Sequence, residues 1–224
     1  MERVVPRIGA WAGWIAVIGI VGYHLALMIL AGQRVSGTPD VQAIRAFYGQ
    51  PIVGVLGVSQ FLVVIPFLVF AVALRETLVR SPLTRLLAGV GLLAAVAEVP
   101  IVLTEIAAQA ALVTAVEAGE DVVGLFRFWD ALYNSGLYGL EATWVLGFGL
   151  AVRGVAAFPR FMSWLSVLAG VLLGINVFAI WVGIPDAATL PSAVAISAWI
   201  AGASVGLRRL ASPHAVSVVV TPAG

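Results

Sequence analysis

Six long apolar stretches, separated by short polar or turn-forming segments, dominate this sequence. They cover residues 8–32, 51–78, 83–115, 123–152, 160–184 and 187–207. A helix needs about 20 mainly apolar residues to cross the hydrocarbon core of a bilayer, so each stretch is long enough to span one. The chain is 62% hydrophobic and only 10% charged, which excludes a water-soluble fold and a disordered chain. We therefore predict an all-α, polytopic membrane helix bundle with six transmembrane helices.

The arginines predict the orientation of this bundle. All 12 basic residues are arginine. With the N-terminus inside, the inner segments carry Arg3, Arg7, Arg75, Arg80, Arg85, Arg153, Arg160, Arg208 and Arg209. The outer segments carry Arg34, Arg45 and Arg127. Because cytoplasmic loops are enriched in positive charge, both termini are predicted to lie inside. Residues 1–210 would form one six-helix domain and residues 211–224 a short cytoplasmic tail.

Composition excludes several kinds of chemistry. The chain has no cysteine and no lysine, and one of its two histidines lies in the tail. Disulfides, zinc–thiolate sites, iron–sulfur clusters and Schiff-base cofactors are therefore excluded, and we expect neither a metal nor a cofactor. No basic stripe points to nucleic acid. Abundant Ala, Val, Gly and Arg without Lys is typical of a GC-rich coding sequence, which favours a bacterial plasma membrane as the location.

Ionisable residues inside the third stretch are the strongest functional signal. Glu98 and Glu105 lie about two turns apart, so they share a helix face, and Gln109 continues it. Such residues cost about 2.5–3.5 kcal/mol each at mid-bilayer, so we expect this face to point into the bundle.

The fourth stretch carries a second polar stripe at spacings of three and four residues. Its members are Arg127, Asp130, Asn134, Tyr138, Glu141 and Trp144. A rise of about 1.5 Å per residue places Glu98 and Glu141 near the same depth. His24, Gln60 and Asn176 fall in the outer halves of their helices. We therefore predict a polar cavity in the outer half of the bundle, between the third and fourth spans, with carboxyl groups at its floor.

Each of these residues also has a purely structural interpretation. Arg127 would neutralise Asp130, and His24 would be a hydrogen-bonded core residue. Asn134, Gln60 and Asn176 would be interhelical hydrogen-bond partners. The three glutamates are harder to explain in this way, because one nearby arginine cannot neutralise all of them.

The first functional hypothesis is an intramembrane enzyme that acts on a lipophilic, isoprenoid-like substrate. A carboxylic acid kept neutral by desolvation would protonate an alkene or epoxide and so start a cyclisation or isomerisation. The predicted catalytic residues are Glu98, Glu105, Glu141 and Asp130. The predicted substrate-binding residues are Asn134, Arg127, Trp129, Tyr133, Tyr138, Trp144, His24, Gln60 and Asn176. Aromatic faces among them would stabilise a developing cation.

Two alternatives belong to other classes. Buried acids in series also suit a proton-coupled transporter, although the sequence shows neither an inverted repeat nor paired broken helices. In an accessory or structural subunit, the polar groups would instead hold helices or a partner together. Small-residue faces that would allow close helix packing or oligomerisation occur at Gly9–Gly13, Gly170–Gly174 and Gly202–Gly206.

The second half of the chain resembles a known family. The resemblance lies in Tyr138-Gly-Leu-Glu-Ala-Thr-Trp-Val-Leu-Gly147, in Phe158-Pro-Arg160 and in Leu168-Ala-Gly-Val-Leu-Leu-Gly174. These segments are similar to a bacterial family of six-span membrane proteins that is described only as a domain of unknown function. The resemblance implies the six-helix layout and no particular activity. In general design, but not in motifs, the chain is also similar to membrane-bound terpene cyclases.

Overall fold

The computed structural model describes residues 3–32, 40–182 and 189–212. Within these ranges the chain forms helices and turns, with no β-strand. Arg34, which was predicted to lie outside, and most of the predicted tail lie outside the described residues.

Nine α-helices and one π-helical segment are present in the described ranges. The helices are α1 (Val4–Leu30), α2 (Val41–Tyr48), α3 (Pro51–Ser59), α4 (Phe61–Leu78), α5 (Pro82–Ala118), α6 (Val123–Ala131), α7 (Tyr138–Ala151), α8 (Met162–Trp181) and α9 (Thr189–Ala211). The π-helical segment Leu132–Leu137 joins α6 to α7.

Five stretches in the described part of the chain are long and apolar enough to cross a membrane. They are Val4–Leu30, Pro51–Leu78, Pro82–Ala118, Met162–Ala179 and Leu190–Ala211. The remaining predicted span, 123–152, is helical but interrupted, with 9 residues in α6, 6 in the π-helical segment and 14 in α7. The all-helical, membrane-type fold is therefore confirmed for the described residues, and stretches long and apolar enough to cross a membrane account for five of the six predicted spans.

The helices form a closed ring in which chain neighbours are also spatial neighbours. Its order is α1, α4, α5, α7, α8 and α9, and α9 returns to α1. Adjacent helices run antiparallel. On α1, for example, Gly9 faces Ala73 of α4 whereas Gly19 faces Val63. This arrangement leaves a central space that several helices enclose.

Glycines allow close contacts inside this ring. A Cβ atom added to Gly13 would lie 2.1 Å from the Ser204 hydroxyl, and one added to Gly206 would lie 2.3 Å from the Phe158 ring. Both glycines belong to small-residue motifs identified in the sequence, so these positions pack helices of the same chain together. Association of several chains through such faces stays a prediction.

The outer surface of the ring is apolar. Leu62 of α4, Trp164 of α8 and Phe178 of α8 are all more than 70% exposed, at 76%, 78% and 73%. A surface of this kind is stable when lipid, not water, surrounds it. The nine arginines predicted to lie inside are all found at one end of the ring, in or beside the start of α1, the α4–α5 turn, the α7–α8 loop and the end of α9.

The short helix α2 covers the end of the ring opposite the one that carries the nine arginines. Asp40 caps it by accepting a hydrogen bond from the Ala43 N–H at 2.7 Å. Its buried face carries Ile44, Phe47 and Tyr48, which join a hydrophobic cluster with residues of α5 and α6. Arg45 donates hydrogen bonds to the Val116 and Glu120 carbonyl groups and so fixes α2 to the C-terminal end of α5.

Candidate functional site

A cavity of about 130 Å³ lies inside the ring. Its polar lining side chains are Tyr23, His24, Gln60, Glu98, Tyr133, Tyr138, Glu141 and Trp144. Most other lining residues are apolar: Ile20, Val63, Val64, Phe67, Val102, Leu137, Ala193, Ile196 and Ile200. Among the described lining residues there are two carboxyl groups and no arginine, so the cavity brings acids together without a guanidinium group from these residues to neutralise them.

Glu98 of α5 is held by a hydrogen bond from the neighbouring helix α7. The Trp144 indole N–H donates to Glu98 Oε2 at 2.6 Å, and both side chains are buried. This contact depends on a close approach of α5 and α7, because a Cβ on Gly147 would lie 2.9 Å from the Leu87 carbonyl oxygen. Gly147 therefore allows the backbones of α5 and α7 to lie close together, which places the Trp144 N–H within hydrogen-bond distance of Glu98.

Glu141 offers an uncommitted carboxyl oxygen. It lies one turn before Trp144 on α7, so both side chains are on the same helix face and line the cavity. Its Oε2 atom is buried and has no hydrogen-bond partner among the described residues. Most buried polar atoms are paired, which makes this oxygen a group that is available to a ligand or a proton.

His24 of α1 and Tyr133 of the π-helical segment line another part of the same cavity. His24 Nδ1 lies 2.8 Å from the Ile20 carbonyl oxygen, which only accepts, so Nδ1 carries the hydrogen. Nε2 lies 3.5 Å from the Tyr133 hydroxyl group. Tyr133 also stacks on Trp129 and meets Tyr138 edge-on, with ring centroids 5.8 and 5.4 Å apart. His24 is thus both hydrogen-bonded and part of the cavity wall.

Gln60 occupies a break between α3 and α4. It donates to Gln109 Oε1 of α5 at 3.5 Å, and Gln109 donates in turn to the Val53 carbonyl group at 3.2 Å. Gly57 leaves the space for this amide, because a Cβ there would lie 2.9 Å from Gln109 Nε2. Gln60 therefore connects helices and also lines the cavity.

Aromatic rings continue from the cavity into the core. Trp144 packs between Phe67 and Trp199, with ring centroids 5.3 and 5.5 Å away. Trp199 donates its indole N–H to the Ser166 hydroxyl group at 2.6 Å. This packing fixes the Trp144 ring and hence its hydrogen bond to Glu98.

Several predicted site residues are buried but do not line the cavity. Glu105 and Asp130 are 1% and 5% exposed. Trp129 belongs to the hydrophobic cluster under α2. Asn176 donates to the Ser192 hydroxyl group at 3.0 Å. The side chain of Asn134 lies outside what the structure describes.

The prediction that Arg127 shares an inward-facing stripe is wrong. Arg127 is exposed, and the buried face of α6 consists of Phe126, Trp129 and Asp130. The prediction of this stripe also treated residues 127–144 as one continuous α-helix. The wider turn of the π-helical segment interrupts that period, so the faces of α6 and α7 are not continuous.

More helices line the cavity than predicted. It was expected between the third and fourth spans alone, but α1, α4 and α9 contribute as well. Sequence reasoning missed Phe67 and Ile196, since apolar residues on apolar helices give no signal that distinguishes cavity lining from core or lipid contact.

No group of three or more His, Asp or Glu side chains in residues 3–32, 40–182 and 189–212 has the arrangement of a metal site. Comparisons with known protein families, with curated proteins and with solved structures find no match for the chain. The class that the fold and cavity define is a membrane-type helix ring with an internal, acid-bearing cavity.

Proposed function

We propose that this protein is an intramembrane enzyme that performs acid–base chemistry on a small, lipophilic, isoprenoid-like substrate. The observation that carries the proposal is the pair of glutamates, Glu98 and Glu141, in one largely apolar cavity that has no arginine among its described lining residues. Two ionised carboxylates in such a place would be costly, so the pair is best satisfied by sharing a proton.

Hydrogen bonding assigns the two roles. Trp144 donates to Glu98, which stabilises a negative charge on that carboxyl group. Glu141 Oε2 receives no such bond from the described residues. We therefore assign Glu141 as the proton donor and Glu98 as the proton acceptor.

The proposed reaction begins when Glu141 protonates the substrate and ends when Glu98 deprotonates it. The Glu141 carboxyl proton adds to one carbon of a substrate alkene, whose π electrons form the new C–H bond, leaving a carboxylate and a carbocation. Glu98 then removes a proton from a neighbouring carbon, and the C–H electrons form the new double bond. Glu98 then releases this proton to solvent, and Glu141 takes up another from solvent, which restores the starting state. The net reaction is a double-bond isomerisation without oxidation or reduction. It becomes a cyclisation when a second alkene of the substrate attacks the carbocation and forms a C–C bond before Glu98 removes the proton.

Size and lining indicate the substrate class. An apolar protein cavity of about 150 Å³ binds benzene, so a cavity of about 130 Å³ suits a short hydrocarbon unit. Faces of Phe67, Tyr133, Tyr138 and Trp144 would stabilise the cation. The neighbouring predicted residues Glu105 and Asp130 would act from outside the cavity, as positioning residues.

We also propose six membrane crossings with both termini in the cytoplasm of a bacterium. The interrupted unit Val123–Ala151 supports a sixth crossing because it occupies its own place in the antiparallel ring. The single basic end of the ring supports the orientation.

Cysteine labelling tests this topology, since the natural chain has no cysteine. In intact cells, we expect a membrane-impermeant maleimide to label Glu117→Cys at the end of α5, and to label Ala156→Cys in the α7–α8 loop only after the cells are opened. Both residues are exposed. Labelling of both from the same side would contradict a crossing by Val123–Ala151.

Deuterium incorporation tests the enzymatic proposal. Purified protein in D₂O would be incubated with a panel of polyprenyl alkenes and their epoxides, and with a hydrophobic extract of bacterial membranes. Protonation at carbon leaves a non-exchangeable C–D bond that mass spectrometry detects. We expect Glu141→Gln to lower the incorporation rate by about 10²–10⁴-fold, the usual contribution of a general acid.

The matched control is Glu117→Gln, which removes an exposed glutamate and is expected to react like the wild type. The proposal would be overturned if no compound gained deuterium, or if Glu141→Gln left the incorporation rate unchanged.

A proton-coupled transporter is the second candidate, and one observation favours it. Two helical units that line the cavity are interrupted, one at Gln60 and one at Leu132–Leu137, although the sequence predicted no paired broken helices. Broken helices often form transporter binding sites. Proton flux into proteoliposomes that Glu141→Gln abolishes, without deuterium in any product, would favour this candidate over the enzyme.

A further inference from the structure

A second pocket lies at the basic end of the ring, between α1 and α9. Its volume is about 350 Å³. Arg7, Trp11 and Trp14 line it from α1, and Arg208 and Ser212 line it from the end of α9. None of the described residues that line it is acidic, so two arginines on different helices line a space that contains no carboxylate from the described part of the chain.

These guanidinium groups are uncommitted. Within the described ranges neither the Arg7 nor the Arg208 side chain makes a hydrogen bond or an ion pair. At the same end of the ring, Arg209 donates to the Ala157 carbonyl group at 3.5 Å, and Arg75 pairs with Glu76. Arg7 and Arg208 differ from the other arginines in that both line one pocket, where a ligand could supply negative charge from outside the protein.

The surface beside the pocket is apolar. Trp11 is 62% exposed, and Ile8 and Ile15 lie on the same face of α1, each 52% exposed. Tryptophan is enriched where membrane meets water, and the apolar face continues from it along the helix. A molecule bound here would thus contact cations at one end and an apolar surface at the other.

We propose that this pocket binds the phosphodiester headgroup of an anionic phospholipid. The guanidinium groups of Arg7 and Arg208 contact the phosphate, and the acyl chains lie along the exposed face of α1 that carries Ile8 and Ile15. Guanidinium groups bind phosphate through paired, charge-assisted hydrogen bonds, and basic pockets between membrane helices bind anionic headgroups. This site is independent of the acid-bearing cavity.

Native mass spectrometry tests the site with the full-length protein. The wild type is expected to retain phosphatidylglycerol in preference to phosphatidylcholine. The double variant Arg7→Gln/Arg208→Gln is expected to bind phosphatidylglycerol on the order of tenfold more weakly. If the double variant does not fold, Arg208→Gln alone is expected to weaken binding about fivefold.

The matched control is Arg80→Gln/Arg85→Gln, which removes the same charge from the same end of the ring. Both residues are exposed and neither lines the pocket. The control is expected to bind phosphatidylglycerol as the wild type does. Equal losses in the two double variants would overturn the proposal and show that only the overall charge matters. Competition by inorganic phosphate as effective as that by phosphatidylglycerol would also overturn it, because the site would then recognise a free anion.

Discussion

Replacing Gly147 with alanine is expected to destabilise the ring strongly. The added Cβ would lie 2.9 Å from both the Leu87 carbonyl oxygen and the Gly91 nitrogen, which are backbone atoms that cannot move without shifting α5. Such overpacking costs about 1–3 kcal/mol, so we expect the midpoint of thermal unfolding in detergent to fall by about 2–4 °C per kcal/mol. A bulkier change, Gly147→Leu, is expected to yield no folded monomer on size-exclusion chromatography.

Gly139 provides the matched control on the same helix. Apart from the adjoining backbone of the same helix, no heavy atom of the described residues lies within 4 Å of a Cβ built there, so Gly139→Ala adds the same group without a clash. Because alanine is favoured over glycine in helices by up to about 1 kcal/mol, this control is expected to be neutral or slightly stabilising. Equal unfolding midpoints for the two variants would contradict the close α5–α7 contact.

A second large effect is expected from the substitution Trp144→Phe, which removes the indole N–H donor. Trp144→Phe keeps an aromatic ring between Phe67 and Trp199 but leaves Glu98 Oε2 without its N–H donor. A buried acceptor that loses its partner costs about 1–3 kcal/mol, and a charged one costs more. We expect a lower unfolding midpoint and, in the deuterium assay, a slower reaction, because Glu98 loses the bond that stabilises its carboxylate.

A double-mutant cycle separates this bond from ring packing. Trp144→Phe should cost less stability when Glu98→Leu is already present, with a coupling free energy of about 0.5–3 kcal/mol. Trp164→Phe serves as the control, since Trp164 is 78% exposed to lipid and should contribute little to the unfolding midpoint. Additive effects of Trp144→Phe and Glu98→Leu would show that the hydrogen bond contributes nothing.

Features with a local cause were predictable from the sequence. Apolar length determines a membrane helix, and five of the six predicted spans appear as long apolar helical stretches. Asp40 starts α2 because its side chain caps the helix, which is a short-range effect. The seven-residue spacing of Glu98 and Glu105 on an uninterrupted helix correctly predicted that both are buried.

Features with a distant cause were not predictable. The π-helical turn at Leu132–Leu137 has no unambiguous sequence signature, so the helical period was extended through it and Arg127 was placed inside. The partner of Glu98 lies 46 residues away, and its identity depends on the contact of Gly147 with α5. Enclosure of the cavity by α1 and α9 depends on closure of the whole ring, which no single helix encodes.

Infrared difference spectroscopy of the protein in lipid tests the central claim most directly, namely that Glu141 carries a proton inside the cavity. The spectrum of the wild type minus that of Glu141→Gln, at neutral pH, should contain the carbonyl stretch of a protonated carboxylic acid, and this band should shift in D₂O. In the control, the spectrum of the wild type minus that of Glu117→Gln should contain carboxylate bands, because Glu117 is an exposed glutamate. A Glu141 difference spectrum that contains only carboxylate bands would contradict the assignment of Glu141 as the proton donor.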